Sequence, residues 1–180
     1  MTTLETERLV LRQWLPEDGE PFAALNADPE VMRWFPAPLT AAESDALAAR
    51  CAAHIEENGW GLWALEAAGR FVGFTGLAKP HFAAPFLPAV EVGWRLARDA
   101  WGRGYATEAA GAALRYGFDV LGLEEIVSFT AAGNARSRAV MERLGMRHDP
   151  TDDFEHPSLP EGHPLRPHVL YRLRAGGVVA

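Results

Sequence analysis

Two glycines flank an arginine in the stretch that decides the fold, WGRGYATEA, which runs from Trp101 to Ala109. Glycine costs about 0.5–1 kcal/mol more than alanine when regular structure fixes it, so glycines directly before an alanine-rich segment need a reason. A strand, a short glycine-containing loop and a helix N-terminus together present unpaired backbone N–H groups beside the positive end of the helix dipole. The stretch therefore favours an anion site, where Gly102 and Gly104 let a phosphate approach the backbone and Arg103 adds a positive charge.

A tight turn that uses glycine only for its dihedral angles is the alternative explanation, and spacing alone does not separate the two. Two common phosphate-binding motifs do not fit. A P-loop needs Gly-Lys-Ser/Thr, which does not follow here. The dinucleotide fingerprint needs a third glycine three residues beyond Gly104, and the strands before the loop have the pattern of hairpins.

Strands and helices alternate on both sides of this loop. Thr40 and Glu43 form a capping box before one helix, and Asp28 with Pro29 predicts the start of another, short helix. Ala68 and Gly69 predict a hairpin turn. The predicted strands are residues 8–14, 61–67, 70–78, 89–97, 123–131 and 168–174, and two further helices are predicted from residue 105 to about 121 and from 134 to 145.

The chain as a whole has the size and composition of one globular domain, which we place at residues 1–180. Its 17 basic and 24 acidic residues give a net charge of −7, which argues against a general attraction to nucleic acid.

Cys51 is the single cysteine, so no intramolecular disulfide forms. The N-terminus lacks a signal-peptide pattern and every apolar run is too short to span a bilayer, so we expect a cytoplasmic protein with no membrane partner.

Two segments taken together resemble a known family. VEVGWRLARDAWGRGYATEAAGAALRYGF (residues 90–118) and NARSRAVMERLGM (residues 134–146) are similar to the GNAT superfamily of N-acetyltransferases, and within it to the RimJ/RimL-like branch that acetylates the N-termini of ribosomal proteins. The similarity extends over nearly the whole chain. It implies an α/β (α+β) fold with a mixed, mostly antiparallel central sheet of about seven strands, splayed between the fourth and fifth strands and flanked by helices. It also implies acetyl-CoA as the cosubstrate.

The resemblance assigns the cofactor-binding residues. In the family, the loop R/Q-x-x-G-x-G/A binds the diphosphate of acetyl-CoA through its backbone, and Gly104 and Ala106 match its two small positions, whereas Trp101 replaces the usual Arg or Gln. The pantetheine arm of the cofactor is expected to pair with backbone groups of the strand before the loop. The implied cofactor-binding residues are Trp94, Arg95, Leu96, Gly102, Arg103, Gly104, Tyr105, Ala106, Thr107, Asn134 and Ser137.

Proton transfer suggests two catalytic candidates. An α-amino group has a pKa of roughly 8 and a lysine roughly 10.4, so a base must help to free the attacking lone pair near neutral pH. Glu91 stands on the strand expected to line the cofactor and is our candidate base; the alternatives are an ordinary solvent-side strand residue and a partner for an arginine. A departing thiolate needs a donor, and the segment after Asn134 offers Ser137 where many relatives have tyrosine. A serine whose hydroxyl bonds only to the local backbone is the alternative. Asn134 is a helix cap, a contact to the pantetheine arm, or both.

Fewer residues of the sequence indicate where the acetyl acceptor binds. Trp34 and Phe35 resemble the acceptor wall of the family site. The cluster of histidines and acidic residues between 148 and 168 matches no metal-ligand spacing, and we expect no metal. The acceptor is a protein N-terminus or a small amine, and the protein is a monomer or a homodimer. An acyl-CoA-binding sensor with little turnover is the main alternative function, and a nucleotide-phosphate binder is a weaker one.

Overall fold

The fold is described for residues 2–177 of a computed structural model. The helices and strands lie, in chain order, at Leu4–Glu5 (β1), Leu9–Arg12 (β2), Gly19–Ala27 (α1), Ala41–Asn58 (α2), Leu62–Ala67 (β3), Arg70–Ala78 (β4), Glu91–Leu96 (β5), Tyr105–Asp119 (α3), Glu125–Ala131 (β6), Ala135–Arg143 (α4), Arg147–His148 (β7), Phe154–Glu155 (β8) and Pro167–Arg174 (β9). None of these helices, within residues 2–177, has the length and apolar character needed to cross a membrane.

The strands form one open sheet in the order β1-β2-β3-β4-β5-β6-β9-β7, and β8 also pairs with β9. Every neighbouring pair is antiparallel except β5 and β6, which are parallel and share one ladder position, Glu91 with Val127. The predicted mixed, mostly antiparallel and splayed sheet is therefore confirmed, with nine strands instead of about seven. The strands β1, β7 and β8, which are additional to the six strand segments predicted from the sequence, have only two residues each, too few for a periodic sequence pattern.

Helices cover both faces of the sheet. On one face Phe22 of α1 packs edge-on against Phe74 of β4, with ring centroids 5.8 Å apart. On the other face α3 lies so close that a side chain at Gly117 would overlap Leu77 and Ile126. Side chains of alternate residues in a strand point to opposite faces, so β5 presents one set of side chains to each helix layer.

Local sequence signals were confirmed in two places and wrong in one. Thr40 and Glu43 form the predicted capping box, in which Glu43 N donates to Thr40 Oγ1 at 3.2 Å and Thr40 N donates to Glu43 Oε2 at 2.8 Å. The hairpin turns at Ala68 and Gly69, both with positive φ. The helix predicted from Asp28 is only a 3₁₀ turn over Met32–Trp34, because prolines at 36 and 38 cannot donate backbone hydrogen bonds and force the chain before them to be extended.

Candidate functional site

The glycine loop connects β5 to α3 and ends in the helix cap. Gly102 and Gly104 have φ of 74° and 81°, in the left-handed region that favours glycine, and Gly104 is the N-cap of α3. A Cβ built on Gly102 would meet nothing within 4 Å, so the backbone there faces open space. Glu108 N is bonded to Gly104 O at 3.0 Å, and the three N–H groups before it stay free of intrahelical bonds. The loop therefore offers an unfilled, electropositive backbone surface.

Arg8 stands beside this helix end, a neighbour that sequence reasoning missed. Glu108 accepts hydrogen bonds from Thr6 Oγ1 (2.6 Å), from Arg8 N (3.0 Å) and from Arg8 Nε (2.8 Å). The guanidinium lies 5.0 Å from the centre of the Tyr105 ring, and a Cβ on Gly104 would be 3.4 Å from its Nη2. Arg8 and Glu108 are 100 residues apart, so no local pattern could have indicated the pair. Arg103, the predicted cation, is exposed and bonds to none of the described residues.

The gap between β5 and β6 opens directly after their single ladder position. Val127 N donates to Val90 O at 2.9 Å, and the Ser128 hydroxyl donates to Val92 O at 2.9 Å. Backbone groups that point to one edge of a strand recur at every second residue, so those of Trp94 and Leu96 face the gap. Trp101 Nε1 donates a hydrogen bond to Leu96 O at 2.9 Å. The N–H and C=O of Trp94 and the N–H of Leu96 remain available to a ligand in the gap.

The backbone of Arg95 does not face the gap, although a backbone contact to the pantetheine arm was expected there. It pairs with Phe74 of β4, and the alternation directs its backbone N–H and C=O toward β4, away from the gap. The backbone contact expected at Arg95 is therefore not available. Its side chain points to the face that carries α1, together with those of Glu91 and Gly93.

The start of α4 borders the other side of the gap. Asn134 caps the helix by accepting from Ser137 N at 3.3 Å, and its Nδ2 donates to Thr130 Oγ1 of β6 at 3.0 Å. Its amide group is thus engaged at both ends, as a cap and as a tie between α4 and β6. The Ser137 side chain is half-buried, and its hydroxyl bonds to no group in residues 2–177, so it is available to a ligand.

Glu91 is placed at the apex of the splay, at the single ladder position that joins β5 and β6. Its half-buried side chain has no hydrogen-bond or ion-pair partner among the described residues. Burial raises the pKa of Glu91 to about 7. A carboxyl group with a pKa near 7 exists in both protonation states near neutral pH, which is the property of an efficient general base.

Trp34 and Phe35 reach the cleft from the turn after α1. The tip of the Trp34 indole contacts Gly133, where a Cβ would come within 2.9 Å of its ring, so Trp34 extends to the loop between β6 and α4. Phe35 is 37% exposed, and the Arg95 guanidinium lies 4.1 Å from the centre of its ring. Phe35 therefore borders the face of β5 that carries Glu91, and Trp34 lies against the loop between β6 and α4.

Aromatic side chains form an opposite wall that sequence reasoning did not find. Phe129 of β6 is on the same face as Glu91, since Glu91 is paired with Val127 and side chains alternate. Four rings lie 5.6–6.3 Å from Phe129 between centroids, and they belong to Phe82 and Phe86 of the loop after β4, to Phe154 of β8 and to His168 of β9. The members of this aromatic wall are Phe82, Phe86, Phe129, Phe154, His156 and His168.

The histidines predicted not to bind metal have other contacts. Burial lowers the pKa of both His156 and His168, which favours their neutral forms. His148 Nε2 lies 2.7 Å from Asp153 Oδ1. No group of three or more metal-ligating side chains occurs in residues 2–177.

Comparison with known proteins identifies the relatives of this chain. A family model described as an acetyltransferase (GNAT) domain matches residues 8–147. FsC-acetyl coenzyme A-N(2)-transacetylase of Aspergillus fumigatus is 36% identical over 171 residues, which cover 89% of this chain and 71% of the relative. A solved acetyltransferase of Agrobacterium tumefaciens is 29% identical, with a TM-score of 0.76 over 97% of this chain and 95% of the other.

A RimJ protein gives a more distant comparison. RimJ of Mycobacterium smegmatis, solved in complex with CoA-disulfide, has a TM-score of 0.76 at 20% identity and covers 97% of this chain and 88% of its own. At this identity the likeness is one of fold. It does not assign the present chain to the RimJ/RimL-like branch.

Proposed function

This chain belongs to the GNAT acetyltransferase family, and from that premise we propose that it transfers the acetyl group of acetyl-CoA to a primary amine by direct attack in a ternary complex. The observation that carries the proposal is the unpaired Glu91 carboxyl group at the apex of the splayed strands, with a pKa raised to about 7. An amine in the cleft would meet a proton acceptor at the point where β5 and β6 separate.

Acetyl-CoA fits the groups that border the gap. The free N–H groups at the start of α3, the open space at Gly102 and the Arg8 guanidinium suit a diphosphate. The free backbone groups of Trp94 suit an amide of the pantetheine arm. When bound, acetyl-CoA supplies an acyl group activated as a thioester.

Two residues of this chain serve the two ends of the reaction, Glu91 at the attacking amine and Ser137 at the leaving sulfur. Glu91 takes a proton from the acceptor ammonium or amine, directly or through water, in its deprotonated form. The Ser137 hydroxyl, which has no partner in the described chain, donates a hydrogen bond to the leaving sulfur. Phe35 and the aromatic wall exclude water on either side of the cleft, and no side chain is needed as a covalent carrier.

The acceptor class is a separate part of the proposal. The name of the Aspergillus fumigatus relative describes acetylation at an N(2) position with acetyl-CoA, which supports an amino group as the acceptor here. A protein N-terminus, as expected from the RimJ/RimL-like resemblance, and a small amine are the two candidates. We propose action in the cytoplasm, as a monomer or homodimer.

Calorimetric titration with acetyl-CoA, CoA and ATP, followed by a thiol-release assay over N-terminal peptides and small amines, tests the proposal. We expect binding that is selective for CoA compounds and thiol release with one acceptor class. Selective CoA binding without release on any amine would instead indicate an acyl-CoA-binding module. Equal binding of ATP would contradict the assignment of the glycine loop.

A further inference from the structure

Arg95 is a half-buried cation held only by neutral groups. Its Nη1 donates to Asn26 Oδ1 at 2.6 Å, and Asn26 is itself fully buried and donates to the Ser44 hydroxyl at 2.7 Å. The guanidinium lies between the rings of Phe35 and Phe74, 4.1 Å and 5.3 Å from their centres. These contacts fix the position of the charge but do not neutralise it.

No carboxylate balances this charge within the described chain. Arg95 Nε is buried without an acceptor, and Nη2 has none among residues 2–177. The Cys51 thiol is the titratable group close enough to act on it, and burial raises the pKa of that thiol to about 11, so it stays neutral. Burial lowers the pKa of Arg95 to about 10, so the guanidinium remains charged at pH 7. Buried charges in proteins are ordinarily paired, because desolvation without a counter-charge is unfavourable.

Open space lies at Gly93, which stands between Arg95 and the candidate base on β5. Glu91, Gly93 and Arg95 point to the same face of β5, and a Cβ built on Gly93 would meet nothing within 4 Å. At about 3.3 Å per residue, the outer two Cα atoms are roughly 13 Å apart. The strand thus carries a proton acceptor at one end of a vacant surface and an unpaired cation at the other.

We infer that Arg95 binds an anionic group of the acceptor, a carboxylate, while the amine of the same molecule lies at Glu91. This inference deepens the proposed function and rests on it. It identifies the acceptor class as amines that carry a carboxylate, and it makes Arg95 a specificity-determining residue. Phe35 covers the guanidinium and shields the resulting ion pair from water, which strengthens it.

The test uses matched acceptors with the full-length protein. Amino acids that differ in the spacing between amine and carboxylate are each paired with the corresponding amide, and kcat/KM is measured by thiol release with saturating acetyl-CoA. For wild type we expect the best carboxylate acceptor to exceed its amide at least tenfold. Arg95→Gln should reduce that ratio to near one, Arg95→Lys should restore part of it, and Arg70→Gln, at an exposed arginine, should leave it unchanged.

A binding measurement without turnover accompanies the kinetics. The N-acetylated product of the best acceptor is titrated by tryptophan fluorescence into wild type and Arg95→Gln, whose thermal unfolding is recorded in parallel. We expect at least a tenfold weaker Kd in the variant, equivalent to about 1.4 kcal/mol. If Arg95→Gln does not fold, Arg95→Lys and Phe35→Leu are measured in its place.

The outcomes separate this inference from the function on which it rests. Turnover of amides and carboxylates at equal kcat/KM, or a carboxylate preference that persists in Arg95→Gln, would overturn the role of Arg95 and leave the acetyltransferase standing. Absence of turnover with every acceptor, with acetyl-CoA binding intact, would overturn the proposed function and this inference with it.

Discussion

At the scale of single residues, the protonation state of Glu91 governs the expected pH dependence. Burial raises its pKa to about 7, and only the deprotonated carboxylate acts as a base, so kcat/KM should rise with pH through a limb centred near 7. Glu91→Gln should remove this limb and lower kcat at least tenfold at pH 8. The check is a pH–rate profile between pH 5.5 and 9.

The exposed Glu57 supplies a matched control for that profile. Glu57→Gln should retain the wild-type limb, since its side chain lies on the surface of α2. A limb near pH 7 that is still present in Glu91→Gln would place the base at another residue.

Ser137 is the second residue whose role can be isolated. Ser137→Ala removes the free hydroxyl but keeps the backbone N–H that Asn134 caps, so α4 should remain intact. We expect kcat to fall about tenfold or more with an unchanged Kd for acetyl-CoA, because the hydroxyl acts mainly on the leaving sulfur. Ser158→Ala, at an exposed serine, is the control, and equal kcat values for both variants would contradict the donor role.

At the scale of one element, the N-terminus of α3 is expected to bind the diphosphate. Gly104 has a φ of 81°, a conformation that Asn and Asp tolerate better than other side chains. Gly104→Asp and Gly104→Asn are nearly equal in size, and both are good helix caps. Calorimetry should show a much larger loss of acetyl-CoA affinity for Asp, because it alone adds negative charge. Equal losses of affinity for Asp and Asn would mean that the volume of the added side chain, and not its charge, weakens the binding of acetyl-CoA.

Arg8, directly before β2, supplies positive charge at the same end of α3. Arg8→Gln should weaken acetyl-CoA binding several-fold at low salt, because it removes a cation 3.4 Å from the Gly104 Cβ position. Arg8 is partly exposed, so the difference from wild type should shrink as ionic strength rises. A salt-independent loss would instead indicate that Arg8 acts only by holding Glu108.

At the scale of the whole molecule, Ser128 joins the two halves of the sheet. Its buried hydroxyl donates to Val92 O where β5 and β6 part. Ser128→Ala would leave a carbonyl group unsatisfied in the interior, which should cost about 1–3 kcal/mol of unfolding free energy. For a chain of this size each kcal/mol lowers Tm by about 2–4 °C, which calorimetry can resolve. An unchanged Tm would show that the splay holds without this bond.

Local features of this protein could be predicted from neighbouring residues in the chain. Ala68 with Gly69 predicted the hairpin turn, and Thr40 with Glu43 predicted the capping box, because these signals depend on residues a few positions apart. The resemblance of residues 90–118 and 134–146 to the family motifs was sufficient to predict the family and the mixed, splayed sheet. The strands β1, β7 and β8 escaped prediction because two residues carry no period.

Residues that are distant in the chain come together in one site only through the folding of the sheet and its helices. Arg8 reaches Glu108 across 100 positions, and Phe35 reaches Arg95 across 60, so neither contact has a signature in the sequence. The face to which Arg95 points depends on the register of β5 against β4, which a one-residue shift would reverse. Charge balance and pKa depend on what surrounds a group in space. For that reason the unpaired Arg95 and the raised pKa of Glu91 appear only after the chain has folded.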